Sequence, residues 1–282
     1  MTYRRTLWLL LAPFAVGSLV LVIGPALVSG YFALVEYDSL GPPVYRGLSV
    51  VRDLLSYPEF RDAVAATLAI AGLAIPLRLL AALGLSLFLH RRGPLAGGAR
   101  TAAFVPVLVP DAAVAAVWLW LLNPVYGPVG VLTGSAPLLD PWGARLAIVA
   151  VSTMAMGEGF LVLLAARREL PAALYDAARV EGAGPWAAFR RVTLPLLTPV
   201  LAFLVARDLV AALAVTVVPT LLLTGGGPLR STLSLPVLVY ERGFFELRFG
   251  DAAAAAVLLF LGSLAVVAVE VVVLRRWLRR LA

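Results

Sequence analysis

Six ionisable side chains interrupt the long apolar runs of this 282-residue sequence. They are Arg78, Asp111, Glu158, Arg207, Asp208 and Glu270. A charged side chain that faces lipid at the middle of a bilayer costs roughly 3 kcal/mol or more. We therefore expect these groups to face the interior of a helix bundle or a wet cavity. Carboxylates and guanidinium groups form bidentate hydrogen bonds, so they could hold adjacent hydroxyl groups of a polar solute there.

Five residues form our candidate solute path: Asp111, Trp118, Glu158, Arg207 and Asp208. For its charged members the alternative is a set of static ion pairs between helices. Trp118 and Trp120 could stack on a solute ring, but an aromatic belt at the membrane interface also explains them, and we favour that interpretation. Glu270 lies about a turn from a basic C-terminal segment, where we expect it to pair.

Several kinds of chemistry are excluded by residue types that the sequence lacks. Its 23 basic residues are all arginine, so a lysine-containing phosphate loop and Schiff-base catalysis are both excluded. The absence of cysteine excludes disulfides, thiolate nucleophiles and cysteine-based metal sites. His90, the only histidine, is expected to be an interface residue. We predict a protein that is not an enzyme and carries no metal or cofactor of its own.

The elements that position the charged residues are long apolar segments. The sequence is 62% hydrophobic and 14% charged, and several runs reach the roughly 20 residues that cross a bilayer core. We predict an all-α, polytopic transmembrane helix bundle that forms one domain over residues 1–282, with an uncleaved first span. The six predicted spans cover residues 7–35, 62–89, 101–122, 146–166, 196–224 and 252–274.

The distribution of arginine predicts the orientation of these spans. Fourteen arginines lie in the two ends and the loops at 90–100 and 167–195, whereas seven lie in the three other loops. Cytoplasmic loops carry the excess of basic residues. Both termini and the loop at 167–195 are therefore predicted to be cytoplasmic, and the net charge of +7 indicates an anionic membrane surface as its counterpart.

The loop at 167–195 is the most polar connection, and its pattern predicts two short helices. Pro171 and Pro185 suit the first turn of a helix, and Gly182 and Gly184 should break the chain between the two helices. The second helix is expected to stop before Leu194, because the residue before a proline disfavours helical geometry. One face of the first helix is apolar, with Leu170, Leu174, Ala177 and Ala178.

This loop also carries a family resemblance. Asp176-Ala177-Ala178 is followed by Gly182 and by VTLP at 192–195, which resembles the cytoplasmic EAA loop of binding-protein-dependent ABC importer permeases. Asp176 stands where that family usually has glutamate, and Glu181 where its carbohydrate-import branch most often has aspartate. The segments at 106–130 and 221–228 (LLLTGGGP) resemble the maltose-first-subunit and glycerol-phosphate-A-like permeases of that branch.

The resemblance implies a transmembrane permease subunit of an ATP-driven importer of a sugar or sugar derivative, in a bacterial or archaeal cell (inner) membrane. It implies four kinds of partner: a second homologous permease, two ATPase subunits that hold ATP and Mg, an extracytoplasmic solute-binding protein and the lipid bilayer. The loop is implied to be a coupling helix-loop that docks on an ATPase subunit. Its implied contact residues are Leu174, Asp176, Ala177, Ala178, Glu181, Gly182, Ala183, Leu194 and Pro195.

Three alternatives stay open on the sequence alone. ABC permeases for polyamines or inorganic anions share the signature loop. An ion-driven secondary transporter would use the intramembrane acids as a proton relay, but the loop would then have no role. A membrane enzyme is disfavoured, because no histidine, cysteine or lysine cluster lies at either membrane face.

Overall fold

The computed structural model describes residues 3–90, 93–215 and 217–279. The predicted basic turn at 90–100, the fifth span and both chain ends therefore each include residues outside the described ranges. The described elements are the helices α1 (Tyr3–Ser18), α2 (Gly24–Phe32), α3 (Ser49–Ser56), α4 (Pro58–Phe88), α5 (Pro94–Phe104), α6 (Asp111–Leu121), α7 (Pro128–Thr133), α8 (Pro141–Met154), α9 (Gly157–Arg168), α10 (Ala172–Val180), α11 (Pro185–Ala188), α12 (Leu194–Val215), α13 (Val217–Leu223), α14 (Leu235–Tyr240) and α15 (Phe249–Leu278), with strands β1 (Val35–Glu36) and β2 (Val44–Tyr45).

Shorter turns join several of these helices. Short 3₁₀ turns occur at Val105–Leu108 and Pro137–Leu139, and π turns at Leu19–Ile23, Phe189–Thr193 and Glu241–Phe245. Strands β1 and β2 pair antiparallel over two residues each. The predicted all-α fold is confirmed, with this small ladder as an addition.

About six membrane spans were predicted, and the helices agree with that number. Four helical segments are long and apolar enough to cross a membrane: Leu7–Phe32, Pro58–Phe88, Pro185–Ala211 and Phe249–Arg276. Two further spans arise if each bent pair counts as one. Ala96–Leu108 and Asp111–Leu121 meet at 97°, and Pro141–Met154 and Gly157–Arg168 meet at 47°. The third and fourth predicted spans are therefore broken rather than continuous.

The first break has a local cause, and the second lies at a close contact between helices. Pro110 disfavours helical geometry at the preceding residue, and Val109 is extended at φ −85° and ψ 129°. At the second break, a Cβ on Gly157 would lie 2.9 Å from the carbonyl oxygen of Ala103 and 2.8 Å from a methyl group of Val107. Glycine is thus required for α9 to approach the α5 segment this closely.

The chain divides into two compact units, which we describe separately; the single domain over residues 1–282 stays a prediction. The first unit contains residues 1–61 and 238–262. Its ordered centre includes Val35 and Leu54, both fully buried, and a stack of Tyr37 on Phe249 at 5.5 Å. Arg46 bridges Glu36 at 3.0 Å and Asp53 at 3.3 Å.

The second unit contains residues 62–237 and 263–282, and it holds most of the predicted site residues. Two clusters of buried apolar side chains stabilise this unit, and helix α4 contributes residues to both. In one cluster Ile70 of α4 packs with Ala115 of α6 and Ile148 of α8. In the other, Ala82 of α4 packs with Phe160 of α9 and Leu204 of α12. Between these clusters in sequence, α4 carries Arg78.

Candidate functional site

A chain of ion pairs links three helices of the second unit. Arg78 of α4 lies 3.6 Å from Asp208 of α12. Arg207 of α12 lies 3.5 Å from the same Asp208 carboxylate and 2.7 Å from Glu158 of α9. Two guanidinium groups and two carboxylates thus alternate along one network.

Burial differs sharply along this network. The side chains of Arg78 and Asp208 are 6% and 3% exposed, whereas those of Arg207 and Glu158 are 28% and 53% exposed. Arg78 also donates from Nη2 to the backbone carbonyl of Ser152 at 2.6 Å. The inner pair is therefore shielded from solvent and the outer pair is accessible.

The outer end of the network opens on a cavity of about 260 Å³. Polar residues on its wall are Arg78, Asp111, Ser152, Glu158 and Arg207, and the rest of the wall is mostly apolar, including Val107, Val151 and Ala211. Such a mixture, mostly apolar with a few convergent polar groups, is typical of small-molecule sites.

The two helix breaks place the acidic residues at this cavity. Asp111 stands in the first turn of α6, directly after the 97° bend, and Glu158 in the first turn of α9, directly after the 47° bend. A carboxylate is stabilised at a helix N-terminus by the unpaired N–H groups and the helix dipole. Each of the two broken spans thus supplies one such position, which a continuous helix would not supply.

The predicted path residues fall into those that line the cavity and those that do not. Asp111, Glu158 and Arg207 line the cavity, and Asp208 pairs with both arginines from behind its wall. Trp118 does not line it, because its Nε1–H donates to Met154 Sδ at 3.0 Å and its ring packs on the first apolar cluster. These positions do not by themselves test a transport role.

Three further residues depart from the sequence expectation. Arg78 is one of the predicted intramembrane charges but is not among the predicted path residues, although it forms the buried end of the network and lines the cavity. Ser152 was missed, since a single serine in an apolar run gives no signal. The expected pairing of Glu270 with the basic tail is not observed: among the described residues, its buried Oε2 has no hydrogen-bond partner.

The loop at 167–195 forms a second candidate site, in which α10 ends in a Schellman motif. The N–H of Ala183 donates to the carbonyl of Ala178 at 2.8 Å, and that of Gly182 donates to Arg179 at 2.9 Å. Gly182 has φ +75°, the left-handed conformation that this motif requires. The predicted break between the two helices is therefore present at Gly182, and we call it the glycine elbow; Pro171 precedes the first helical residue of α10 instead of lying in its first turn.

Helix α10 exposes the face that the sequence predicted to be apolar. No residue of α10 is buried, and Leu174 and Val180 are 41% and 90% exposed. Asp176 forms only an exposed ion pair with Arg179 at 3.1 Å. This helix therefore has an open surface on which another protein could pack.

Tyr175 is the α10 residue that ties this helix to its neighbours. The guanidinium group of Arg167, at the end of α9, lies 4.5 Å from the centre of the Tyr175 ring. The Tyr175 hydroxyl lies 2.9 Å from the buried Thr193 hydroxyl, in the π turn that leads into α12. One side chain thus contacts the segments on both sides of the loop.

The predicted stop before Leu194 is wrong. Helix α11 continues through the π turn at Phe189–Thr193 into α12, and Leu194 is helical at φ −63° and ψ −47°. The Leu194 N–H donates to the Phe189 carbonyl, five residues earlier. This wider turn gives room for the ring of Pro195, which would collide with a carbonyl in a regular α-helix.

Comparisons with known proteins agree with this architecture. Residues 47–279 match the family described as binding-protein-dependent transport system inner membrane component. The chain is 29% identical to the sn-glycerol-3-phosphate transport system permease protein UgpA of Agrobacterium fabrum, over 93% of this chain and 92% of that protein. It is 25% identical to the probable starch degradation products transport system permease protein AmyD of Thermoanaerobacterium thermosulfurigenes, over 90% and 88% of the two chains.

Solved structures show the same fold. A chain of a bacterial ABC transporter involved in the import of the acidic polysaccharide alginate superposes with a TM-score of 0.81 at 23% identity, over 96% of both chains. A second structure of an alginate transporter, in complex with an alginate pentasaccharide-bound periplasmic protein, gives a TM-score of 0.79 at 22% identity, over 94% of this chain and 92% of that one.

Proposed function

The chain belongs to the family of binding-protein-dependent transport system inner membrane components, and we propose that it is a permease subunit of an ATP-driven importer of a sugar or sugar derivative. The observation that carries the proposal is the family match over residues 47–279, which includes both the charged cavity and the loop at 167–195. The relatives named for sn-glycerol 3-phosphate and starch degradation products support a carbohydrate-related solute.

The proposed assembly needs partners, because this chain has no lysine for a phosphate loop. Two ATPase subunits would bind ATP and Mg, a second homologous permease would complete the pathway, and an extracytoplasmic protein would deliver the solute. The alginate transporter crystallised with its periplasmic protein supports the last of these partners. The chain would lie in a bacterial or archaeal cytoplasmic membrane with both termini inside.

The loop at 167–195 is the proposed coupling element. Its contact with an ATPase subunit would use the exposed face of α10 and the glycine elbow, and Leu194 and Pro195 would carry movement into α12. Tyr175 would transmit the movement of α10, because it contacts Arg167 on one side and Thr193 on the other. We propose the same nine residues that the family resemblance implied: Leu174, Asp176, Ala177, Ala178, Glu181, Gly182, Ala183, Leu194 and Pro195.

Within the membrane, we propose the charged cavity as part of the solute path. Movement of α12 at the coupling loop would displace Arg207 and Asp208, which lie on the same helix. Their ion pairs with Glu158 and Arg78 would then rearrange. Closure of the ATPase subunits could in this way change the width or polarity of the cavity.

Purification of the tagged chain in mild detergent from its source membrane tests the proposal. We expect an ATP-hydrolysing subunit to copurify, and we expect it to be lost when Ala178 is replaced by aspartate. The control is Leu40→Asp in the 36–61 loop, where Leu40 is 91% exposed. A chain that is purified alone and drives uptake into liposomes under an ion gradient would contradict the proposal.

A further inference from the structure

The charged side chains at the cavity and directly behind its wall include more carboxylates than guanidinium groups. Arg78 and Arg207 provide two positive charges, while Asp111, Glu158 and Asp208 provide three negative ones. Each guanidinium group already lies close to a carboxylate, with Arg78 at 3.6 Å from Asp208 and Arg207 at 2.7 Å from Glu158. Asp111 forms no ion pair with any residue that the structure describes. The cavity thus has one carboxylate in excess and no uncompensated cation among its described residues.

Two buried polar atoms of the cavity residues need a partner. Within the described part of the chain, Nε of Arg78 and Oγ of Ser152 form no hydrogen bond, although these residues are only 5% and 2% exposed. Buried polar groups in proteins are nearly always hydrogen-bonded, and each exception calls for an explanation. Both residues line the cavity through other atoms, so these two polar groups lie directly behind its wall and a solute reaches them only if the wall rearranges.

We propose that this cavity is a contact site for an uncharged, polyhydroxylated solute and that it discriminates against anionic solutes. The inference rests on the proposed function. A hydroxyl group both donates and accepts hydrogen bonds. It can therefore donate to Asp111 or Glu158 and accept from the partly exposed guanidinium group of Arg207.

Anionic and polycationic solutes fit the same wall poorly. A phosphate or carboxylate would face the excess negative charge, and at Arg207 it would compete with the carboxylates of Glu158 and Asp208 that already lie beside the guanidinium group. A polyamine would have a single unpaired carboxylate to bind and would be repelled by two guanidinium groups. This chain would therefore differ in its solute from relatives and structural neighbours that are named for sn-glycerol 3-phosphate or for an acidic polysaccharide.

The first test is the charge of the transported solute. The whole transporter is purified from source cells with its binding protein, and the solute released from that protein is identified by mass spectrometry and supplied to proteoliposomes. We expect an uncharged sugar or polyol to be taken up in an ATP-dependent manner. ATP-dependent uptake of a phosphorylated, carboxylated or polyamine solute would overturn this inference and leave the proposed importer function intact, whereas a preparation without ATPase subunits would contradict the proposed function.

The second test uses Asp111→Asn in the same assembly, with saturating solute-loaded binding protein so that the rate reports translocation. Asparagine keeps an acceptor oxygen but loses the charge, and exchanging a charge-assisted hydrogen bond for a neutral one should lower the uptake rate by about 5–10-fold, with subunit composition and thermal midpoint unchanged. The matched control is Asp38→Asn, because Asp38 is an exposed acid that accepts only from the Leu40 and Gly41 backbone N–H groups. Uptake by Asp111→Asn at the wild-type rate, or a loss accompanied by a lower thermal midpoint, would overturn the site assignment.

Discussion

At the scale of single residues, Gly182 shows how one backbone conformation can define a functional loop. Its φ of +75° costs an L-residue with a side chain roughly 1–2 kcal/mol, and a Cβ added to this glycine would meet no atom within 4 Å. The requirement for glycine therefore comes from the backbone and not from crowding. Gly184, two residues later, has an ordinary φ of −69° and equally open surroundings.

This difference makes a matched pair of variants. We expect Gly182→Ala to lower the equilibrium constant between the native elbow and other loop conformations by a factor of about 5–30 and to lower solute uptake and ATPase retention, with normal membrane insertion. Gly184→Ala should behave like the wild type. Uptake and copurified ATPase are measured together for both variants, and equal behaviour of the two would show that the elbow geometry does not matter for coupling.

The buried pair of Arg78 and Asp208 gives a second residue-scale prediction. Removing one partner of a buried ion pair costs about 3–5 kcal/mol, because the other charge stays buried without compensation. We expect Asp208→Asn to lower the thermal midpoint of the purified protein more than Glu158→Gln, whose parent carboxylate is 53% exposed. The double variant Arg78→Met with Asp208→Asn should recover part of the loss, and no recovery would contradict an ion-pair origin.

Residue types in the sequence predicted that intramembrane charges would avoid lipid, but not which charges would meet. Glu158 and Arg207 are 49 positions apart in the numbering, and their 2.7 Å contact depends on how α9 packs against α12. Trp118 shows that residue type alone can also mislead. A tryptophan suits ring stacking on a solute, but the Nε1–H of Trp118 donates to the sulfur of Met154 inside the protein. Long-range pairing depends on tertiary packing, which one sequence does not reveal.

At the scale of elements, prolines had different consequences that the local rule does not separate, and Pro76 and Pro199 lie inside regular helices. Before Pro110 the chain leaves the helix, as the rule predicts. Before Pro195 and Pro25 it stays helical, and in both cases a π turn precedes the proline and the N–H of the residue before it, Leu194 or Gly24, donates five residues back. The wider turn removes the clash with the proline ring, so both helices continue into a membrane span.

The contacts of Tyr175 give a prediction for the loop as an element. Tyr175→Phe removes the hydroxyl that lies 2.9 Å from Thr193 but keeps the ring next to Arg167, whereas Tyr175→Leu removes both contacts. We expect the amount of solute transported per ATP hydrolysed to fall in the order wild type, Tyr175→Phe, Tyr175→Leu, with the ATPase subunit still bound. Thr193→Val should match Tyr175→Phe, and a normal ratio in all three variants would exclude Tyr175 from transmission.

At the scale of the whole molecule, composition predicted the fold class, because several apolar segments of about 20 residues are accommodated together as helices that cross a membrane. A backbone that crosses lipid must satisfy its hydrogen bonds internally, and the described helices do so. The sequence did not reveal that the third and fourth spans are bent by 97° and 47°. Those bends place Asp111 and Glu158 at the cavity, so the least predictable feature of the fold is also the one that builds the candidate site.

The orientation of the chain is a prediction from arginine placement, and it can be tested directly because the sequence contains no cysteine. Leu40, 91% exposed, lies in a loop predicted to be external. Gly98 lies in the basic segment predicted to be cytoplasmic, where it is exposed and an added Cβ would meet no atom within 4 Å. A single cysteine at either position should therefore leave the fold unchanged while reporting its side of the membrane.

We expect a membrane-impermeant maleimide to label Leu40→Cys in intact spheroplasts and to label Gly98→Cys only after lysis. The unmodified chain, which has no thiol, serves as the unlabelled control, and labelling after denaturation confirms that both variants are present in equal amounts. The reverse pattern would place the loop at 167–195 outside the cell, since three spans separate it from the loop at 36–61. An external loop could not reach a cytoplasmic ATPase, so this labelling experiment tests the coupling proposal without requiring any transport activity.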